Sequence, residues 1–299
     1  MKLLPQFKDD FARNVLTLLS GTVLAQLLSL LVAPLLTWYY LPEDMAVAEM
    51  YLRVVLLLAV AATARYEMAI VLPKLNEDAI SLVKLCLMIT IGVSVLSLGL
   101  ILVGGEKLVN YLELPGLTDY LFIIPVSVLI AGGYQSLNYW QIRNKFYRNI
   151  STANISSALV NNGVKLSVGV ASSLGPLGLI LGNLLGQFVG LLLFLGKSLK
   201  YLISPGNQES SIPGNAKVYK NFPLVNMPHA FTDAIRELVI ITIILYYFGG
   251  VTMGIYAFVV RVLKMPIALV GSSMSQVFFQ EASEKYANNE DIFPIVKRT

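Results

Sequence analysis

Residues 14–40, NVLTLLSGTVLAQLLSLLVAPLLTWYY, lie in a stretch with no charged side chain between Arg13 and Glu43. A helix of about 20 apolar residues, rising about 1.5 Å per residue, spans a hydrocarbon core about 30 Å thick. This run therefore reads as a transmembrane helix, and the rest of the chain is built in the same way. It is 56% hydrophobic and 13% charged, with a mean hydropathy of +0.69, whereas roughly a quarter of a soluble domain is charged. An integral membrane protein is implied. A soluble enzyme, a disordered chain and a secreted disulfide scaffold are excluded. Cys86, the single cysteine, cannot form an intrachain disulfide. One histidine, His229, leaves no metal cluster to build.

Working outward from the first run, helices are expected at about 15 to 37, 46 to 72, 80 to 103, 119 to 138, 153 to 172, 175 to 196, 223 to 248 and 251 to 274. That is an all-α, polytopic fold of about eight transmembrane helices. Turn chemistry separates them at Leu41-Pro42-Glu43-Asp44, Pro73 to Asp78, Gly104-Gly105, Ser173 to Pro176 and Gly249-Gly250. Two longer polar links are expected at 139–152 and 197–222. Lys2, Lys8, Arg13, Lys74, Arg143, Lys145, Arg148 and the basic residues of 197–220 and of the C-terminal tail fall on one side of such a topology. Lys107 falls on the other. Basic residues concentrate in the cytoplasm, so the N-terminus is expected there. The aromatics Trp38, Tyr39, Tyr40, Tyr139, Trp140, Tyr246 and Tyr247 sit at span ends, as interface belts do. The outer loops are short, with no room for an extracytoplasmic catalytic domain, and no phosphate-cradling G-x-x-x-x-G-K-[ST] motif occurs. The chain is expected to be no enzyme, to need no cofactor or metal, and to bind no nucleic acid.

At an offset of 208 residues Tyr39 falls on Tyr247, Met45 on Met253, Arg53 on Arg261 and Val54 on Val262. Parallel repeats of this kind are a transporter plan with substrate held between two halves. The division expected is a six-helix lobe over 1–197, a cytoplasmic linker over 198–222 and a partial, pseudo-symmetric second lobe over 223–299.

Ionisable groups inside a bilayer cost about 2.5–3.5 kcal/mol each on insertion scales, so each requires a partner, a wet cavity or an escape route. In the second helix Glu49, Arg53 and Glu67 share a stripe, with Arg65 turned away. Glu49 and Arg53 at i,i+4 suit either a local pair or a cavity role for the arginine. In the fifth helix Asn154, Ser157, Asn161, Lys165 and Ser172 form one polar stripe. Helix-to-helix hydrogen bonding accounts for the amides and serines, but Lys165 has no acid on its own face and is read as lining a cavity. The seventh helix starts polar, with Asn226, His229, Asp233, Arg236 and Glu237, and Asp233 and Arg236 are spaced to pair locally. The eighth carries Gly254, Ala257, Arg261, Ala268, Gly271 and Ser275 along one line, suited to close packing or to a ligand groove. Basic groups outnumber acids in these spans, and a cationic cavity favours anions. Arginine's forked donors suit phosphate or diphosphate oxygens.

The stretches FARNVLTLLSGTVLAQLLSLLVAPLLTWYYLPEDMAVAEMY, ATARYEMAIVLPKLNEDA, KNFPLVNMPHAF and IYAFVVRVLKMPIALVGSSMSQVFFQEASE resemble the bacterial oligosaccharide flippases, polysaccharide-biosynthesis proteins of the multidrug and oligosaccharidyl-lipid exporter superfamily. The resemblance implies two six-helix lobes, alternating access, and translocation of an undecaprenyl-diphosphate-linked oligosaccharide for lipopolysaccharide or other surface polysaccharide. It implies a cationic cavity, with Arg53 and Arg261 as cavity arginines by helix position, then Lys165 and Arg236, lined also by Asn154, Asn161 and Asp233. Arg65 and Glu67, in the RYE segment, match a family pattern for gating or packing. The implied partners are the lipid-linked oligosaccharide, membrane lipids and other polysaccharide-assembly proteins. Eight helices are fewer than the family's twelve or more, so a C-terminally truncated chain is expected. An ion-coupled multidrug exporter of the same superfamily and a non-transporting scaffold are the alternatives.

Overall fold

A computed structural model describes residues 4–111, 115–171, 175–203, 211–288 and 290. Among the described residues eight α-helices run in chain order: α1 Leu4–Tyr39, α2 Pro42–Thr63, α3 Asn76–Tyr111, α4 Ile124–Arg143, α5 Tyr147–Ala171, α6 Leu177–Ile203, the short α7 Ile212–Val218, and α8 Met227–Ala287. No strand occurs among the described residues. Among the described residues six segments are long and apolar enough to cross a bilayer: Leu16–Tyr39, Pro42–Thr63, Asn76–Lys107, Gly116–Arg143, Leu177–Leu202 and Phe222–Lys264. The protein is an all-α, multi-pass membrane protein. α5 is not among these segments, because Asn154, Asn161, Asn162 and Lys165 interrupt its apolar character.

The last segment contains two of the expected helices. Gly249 adopts φ 78°, ψ 173°, a conformation open to glycine and costly for residues with a Cβ. There the chain folds back. Lys264 Nζ lies 3.1 Å from Glu237 Oε1, whereas a straight helix would hold residues 27 apart in sequence about 40 Å from each other. α8 is thus a hairpin of two limbs, 227–248 and 250–287; both lie beside α2, and α8 also packs against α1.

Several expected boundaries are corrected. α2 stops at Thr63, not at 72. Ala64 and Arg65 adopt left-handed φ of 48° and 62°, and a separate 3-10 helix, Tyr66–Val71, follows. The stripe assigned to one helix therefore ends before Glu67. Gly104-Gly105 is not a turn, since α3 runs through it; a Cβ at Gly105 would meet Leu121 Cδ1 at 3.0 Å, so close packing is the use of this glycine. The 139–152 link shrinks to residues 144–146, as α4 and α5 both extend past their apolar cores. Tyr40 and Trp140 are no interface belt. Both are buried in packing, while Trp38, Tyr39, Tyr246 and Tyr247 are exposed. Ser172, the side chains of Ala268 and Gly271, and the C-terminal tail from 291 onward lie outside the described residues.

Two apolar clusters hold the bundle. One, near the α1–α2 turn, joins Leu36, Met50, Ile124, Ile180 and Met253. The other, toward the opposite end, joins Leu18, Ile70, Leu82, Trp140, Phe194 and Val277. Lipid tails are as apolar as these side chains, so dense packing and polar contacts decide which helices associate. α6 supplies that density to α5. An added Cβ at Gly182 would lie 2.7 Å from the Asn161 carbonyl oxygen, and one at Gly186 the same distance from that of Ser157. The backbones meet because glycine removes the obstruction.

At the end away from Gly249, Arg143 closes α4 by donating to the carbonyls of Ile70, Val71 and Pro73, the last at 2.6 Å. It also reaches Leu75 O and Asn76 Oδ1. α7 is fastened to α3 by Asn215 Nδ2, which donates to Asp78 Oδ1 and Ser81 Oγ.

Candidate functional site

Two neighbouring polar structures lie within the bundle. The first is a charged seam between α2 and the α8 hairpin. One turn apart on α2, Glu49 and Arg53 pair at 2.7 Å. The reversal at Gly249 brings the second limb alongside, so Arg261 Nη2 donates to the other Glu49 oxygen at 2.8 Å. Arg53 also reaches Glu237 of the first limb at 3.3 Å, and Lys264 bonds the same carboxylate. Glu49 is almost fully buried, its side chain 8% exposed. Removing a carboxylate from water costs several kcal/mol unless opposite charge and hydrogen bonds replace the solvent. Two guanidiniums provide both here.

The second structure is a cavity of about 230 Å3 where α1, α5 and α6 face α2 and the second limb of α8. Lys165 and Arg261 both line it. Lys165 is 5% exposed, and its Nζ donates to Asn183 Oδ1 at 3.1 Å. Asn161 Nδ2 donates to the same oxygen at 3.0 Å, and Asn162 Nδ2 bonds Ser29 Oγ. Tyr40 Oη fixes the backbone at this level by donating to Lys165 O at 2.6 Å. Asn161 Oδ1 and Ser157 Oγ are buried without a protein partner, as is Arg53 Nε in the seam. Among the described residues no group of acids, histidine and cysteine suits a metal ion.

The residues singled out from the sequence fall into five places. Lys165, Asn161 and Arg261 meet at the cavity. Arg53 joins them through Glu49 and is not one of the cavity's lining residues. Arg236 and Asp233 are exposed and pair with each other at 3.4 Å at the seam's edge. Asn154 lies elsewhere on α5, bonding Tyr134 and Thr22. Arg65 and Glu67 pair at 3.3 Å beyond the end of α2, where Gln135 Nε2 also donates to Glu67 at 2.9 Å. Burial of Glu67 raises its carboxyl above the ordinary carboxylate range, against the opposing pull of its donors and Arg65.

Sequence reasoning passed over Asn183 and Asn162. Asn183 carried a signal, one of two amides in the apolar run LGLILGNLLGQFVG (177–190), inside a four-residue glycine spacing that promises close helix approach. The seam's long-range partners had no such mark: Glu49 and Arg261 are 212 residues apart.

Fold and site together define a polytopic helical membrane protein with paired charges between helices and an amide-lined, cationic cavity. The chain belongs to the polysaccharide biosynthesis protein family, whose model matches residues 41–299. A solved structure titled "protein A" shares the fold, with a TM-score of 0.73 at 15% identity over 96% of this chain and 67% of that one. No curated protein matches the sequence.

Proposed function

We propose that this chain acts in flipping a lipid diphosphate-linked oligosaccharide across the bacterial inner membrane by alternating access, for lipopolysaccharide or another surface polysaccharide, with its N-terminus in the cytoplasm and no covalent chemistry of its own. The carrying observation is the convergence of Lys165 and Arg261 on one cavity inside the bundle, in a member of a polysaccharide biosynthesis family. A buried ammonium and a guanidinium suit an oxyanion, while Asn161 and its neighbours offer the mixed donors and acceptors that sugar hydroxyls and amides accept. A diphosphate-linked saccharide presents both chemistries in one molecule, with a prenyl tail for the surrounding lipid.

The cavity's size bears on the mechanism. About 230 Å3 is below the roughly 300–1,000 Å3 that houses drug-sized ligands. This conformation accommodates a headgroup, and an oligosaccharide requires the helices around the cavity to separate. Alternating access supplies that separation.

The test is complementation of a flippase-deficient strain, scored by surface polysaccharide and by build-up of the lipid-linked intermediate on the cytoplasmic face. The natural gene that encodes this chain is expected to restore export, and Lys165→Met and Arg261→Ala in it to abolish the rescue at unchanged protein level. Full export by both variants would overturn the reading.

A further inference from the structure

We infer that Glu49 is a tethered anion that occupies the anion site of the seam and must be displaced when an oxyanion ligand binds. The inference rests on the flippase reading and adds a regulatory element to the same site. Arg53 and Arg261 converge on one buried carboxylate at 2.7 and 2.8 Å, the separations a phosphate oxygen takes from guanidinium donors. One arginine comes from Glu49's own helix and the other from the α8 hairpin, so the carboxylate both neutralises the pair and ties the two elements together. Arg53 Nε remains buried without a partner, a donor left over after Glu49 has engaged one oxygen with each arginine. Arg261 also lines the cavity that holds Lys165. An oxyanion entering beside Lys165 therefore reaches Arg261 first and competes there with Glu49. Once Arg261 is captured, the direct ion pair between α2 and the second limb is gone. Ligand entry and loosening of this contact become one event, and return of Glu49 to Arg261 helps to expel the anion.

The remaining charges of the seam respond differently. Glu237 pairs with the other Arg53 nitrogen, Nη1, and with Lys264, whereas Glu49 is the carboxylate that Arg53 and Arg261 share, so Glu237 adds to the local field without standing in the anion's place. Binding of undecaprenyl diphosphate to the full chain in nanodiscs separates the two effects. Glu49→Gln is expected to bind about tenfold tighter than the wild type, because a neutral amide no longer competes for two guanidiniums. Glu237→Gln, which removes the same charge, is expected to strengthen binding by less than about threefold. Glu49→Asp, whose shorter side chain reaches one arginine at a time, is expected to fall between wild type and Glu49→Gln, and supports the inference if Glu49→Gln does not fold. Equal strengthening by Glu49→Gln and Glu237→Gln, or binding by Glu49→Gln and Glu49→Asp no tighter than wild type, would overturn displacement and leave the flippase reading intact. Failure of the wild type and every variant to bind would overturn the diphosphate reading and this inference together.

Discussion

The α5–α6 contact and the α2–α8 contact both place polar groups inside a membrane bundle, by opposite means. Between α5 and α6, glycines let the backbones approach, and neutral amides form the main bonds, with Asn183 accepting from both Asn161 and Lys165. Between α2 and α8, the bonds are ion pairs through Glu49, Arg53, Arg261, Glu237 and Lys264. Close packing is short-ranged, and a gap of about an ångström already forfeits up to roughly half of its attraction. Coulombic attraction in a low dielectric reaches further and is exchangeable, since one oxyanion replaces another. The first arrangement suits helices that stay together. The second suits helices that part and rejoin around a charged ligand.

The contrast is open to attack from either side. Gly186→Val forces a Cβ against Ser157 O and Asn161 and is expected to destabilise the protein by about 3 kcal/mol, read as a lowered melting temperature in detergent; an unchanged melt would show that α5 and α6 are free to slide. Asn183→Leu leaves the Lys165 ammonium without its amide acceptor and is expected to cost about 2 kcal/mol. A double-mutant cycle on Glu49 and Arg261 is expected to give a coupling of about 1 kcal/mol. Added inorganic diphosphate should weaken this coupling, as one oxyanion replaces another, while leaving the α5–α6 variants unaffected, and a coupling indifferent to diphosphate would erase the distinction. The smallest effect concerns Glu284 near the far end of α8, which pairs with Lys145 at 2.6 Å. Burial raises the Glu284 carboxyl, but the bond and charge of Lys145 outweigh it and hold it below its ordinary value. A depressed carboxyl contributes fully above its unfolded pKa, about 4.3, and the contribution is lost as the pH falls through the lower folded value. Both partners are about half exposed, so Glu284→Gln is expected to cost about 0.5 kcal/mol at pH 7 and nothing once Glu284 is protonated. A cost that persists in acid would assign the contact to packing.

Much of this was legible in the sequence because it depends on periodicity. The charge-free run after Arg13, the polar stripe through Asn161 and Lys165, and the break at Gly249 are one-dimensional signals. The partners were not legible. A face says that Arg261 needs an anion; it does not say that Glu49, on a distant helix, provides one. The end of α2 was misread because Arg65-Tyr66-Glu67 continues a helical pattern in composition, whereas the backbone turns left-handed at Ala64 and Arg65 and buries Glu67 against Gln135 of α4. Local propensity was overridden there by a tertiary contact. Tyr40 and Trp140 show the same limit. Span ends attract aromatics both to the lipid interface and to the packing beneath it, and sequence alone does not separate the two.

Arg143 has a consequence for how the protein is made. The carbonyls of Ile70, Val71 and Pro73 that it caps belong to the connection between α2 and α3, synthesised well before the arginine itself. Chains fold from the N-terminus as they emerge, so the α2–α3 hairpin enters the membrane with that connection unsealed. It is completed only when α4 delivers its last residue. Sealing of that connection therefore waits on a single side chain, and a ribosome stalled before residue 143 is expected to leave a hairpin whose loop is still open to proteases.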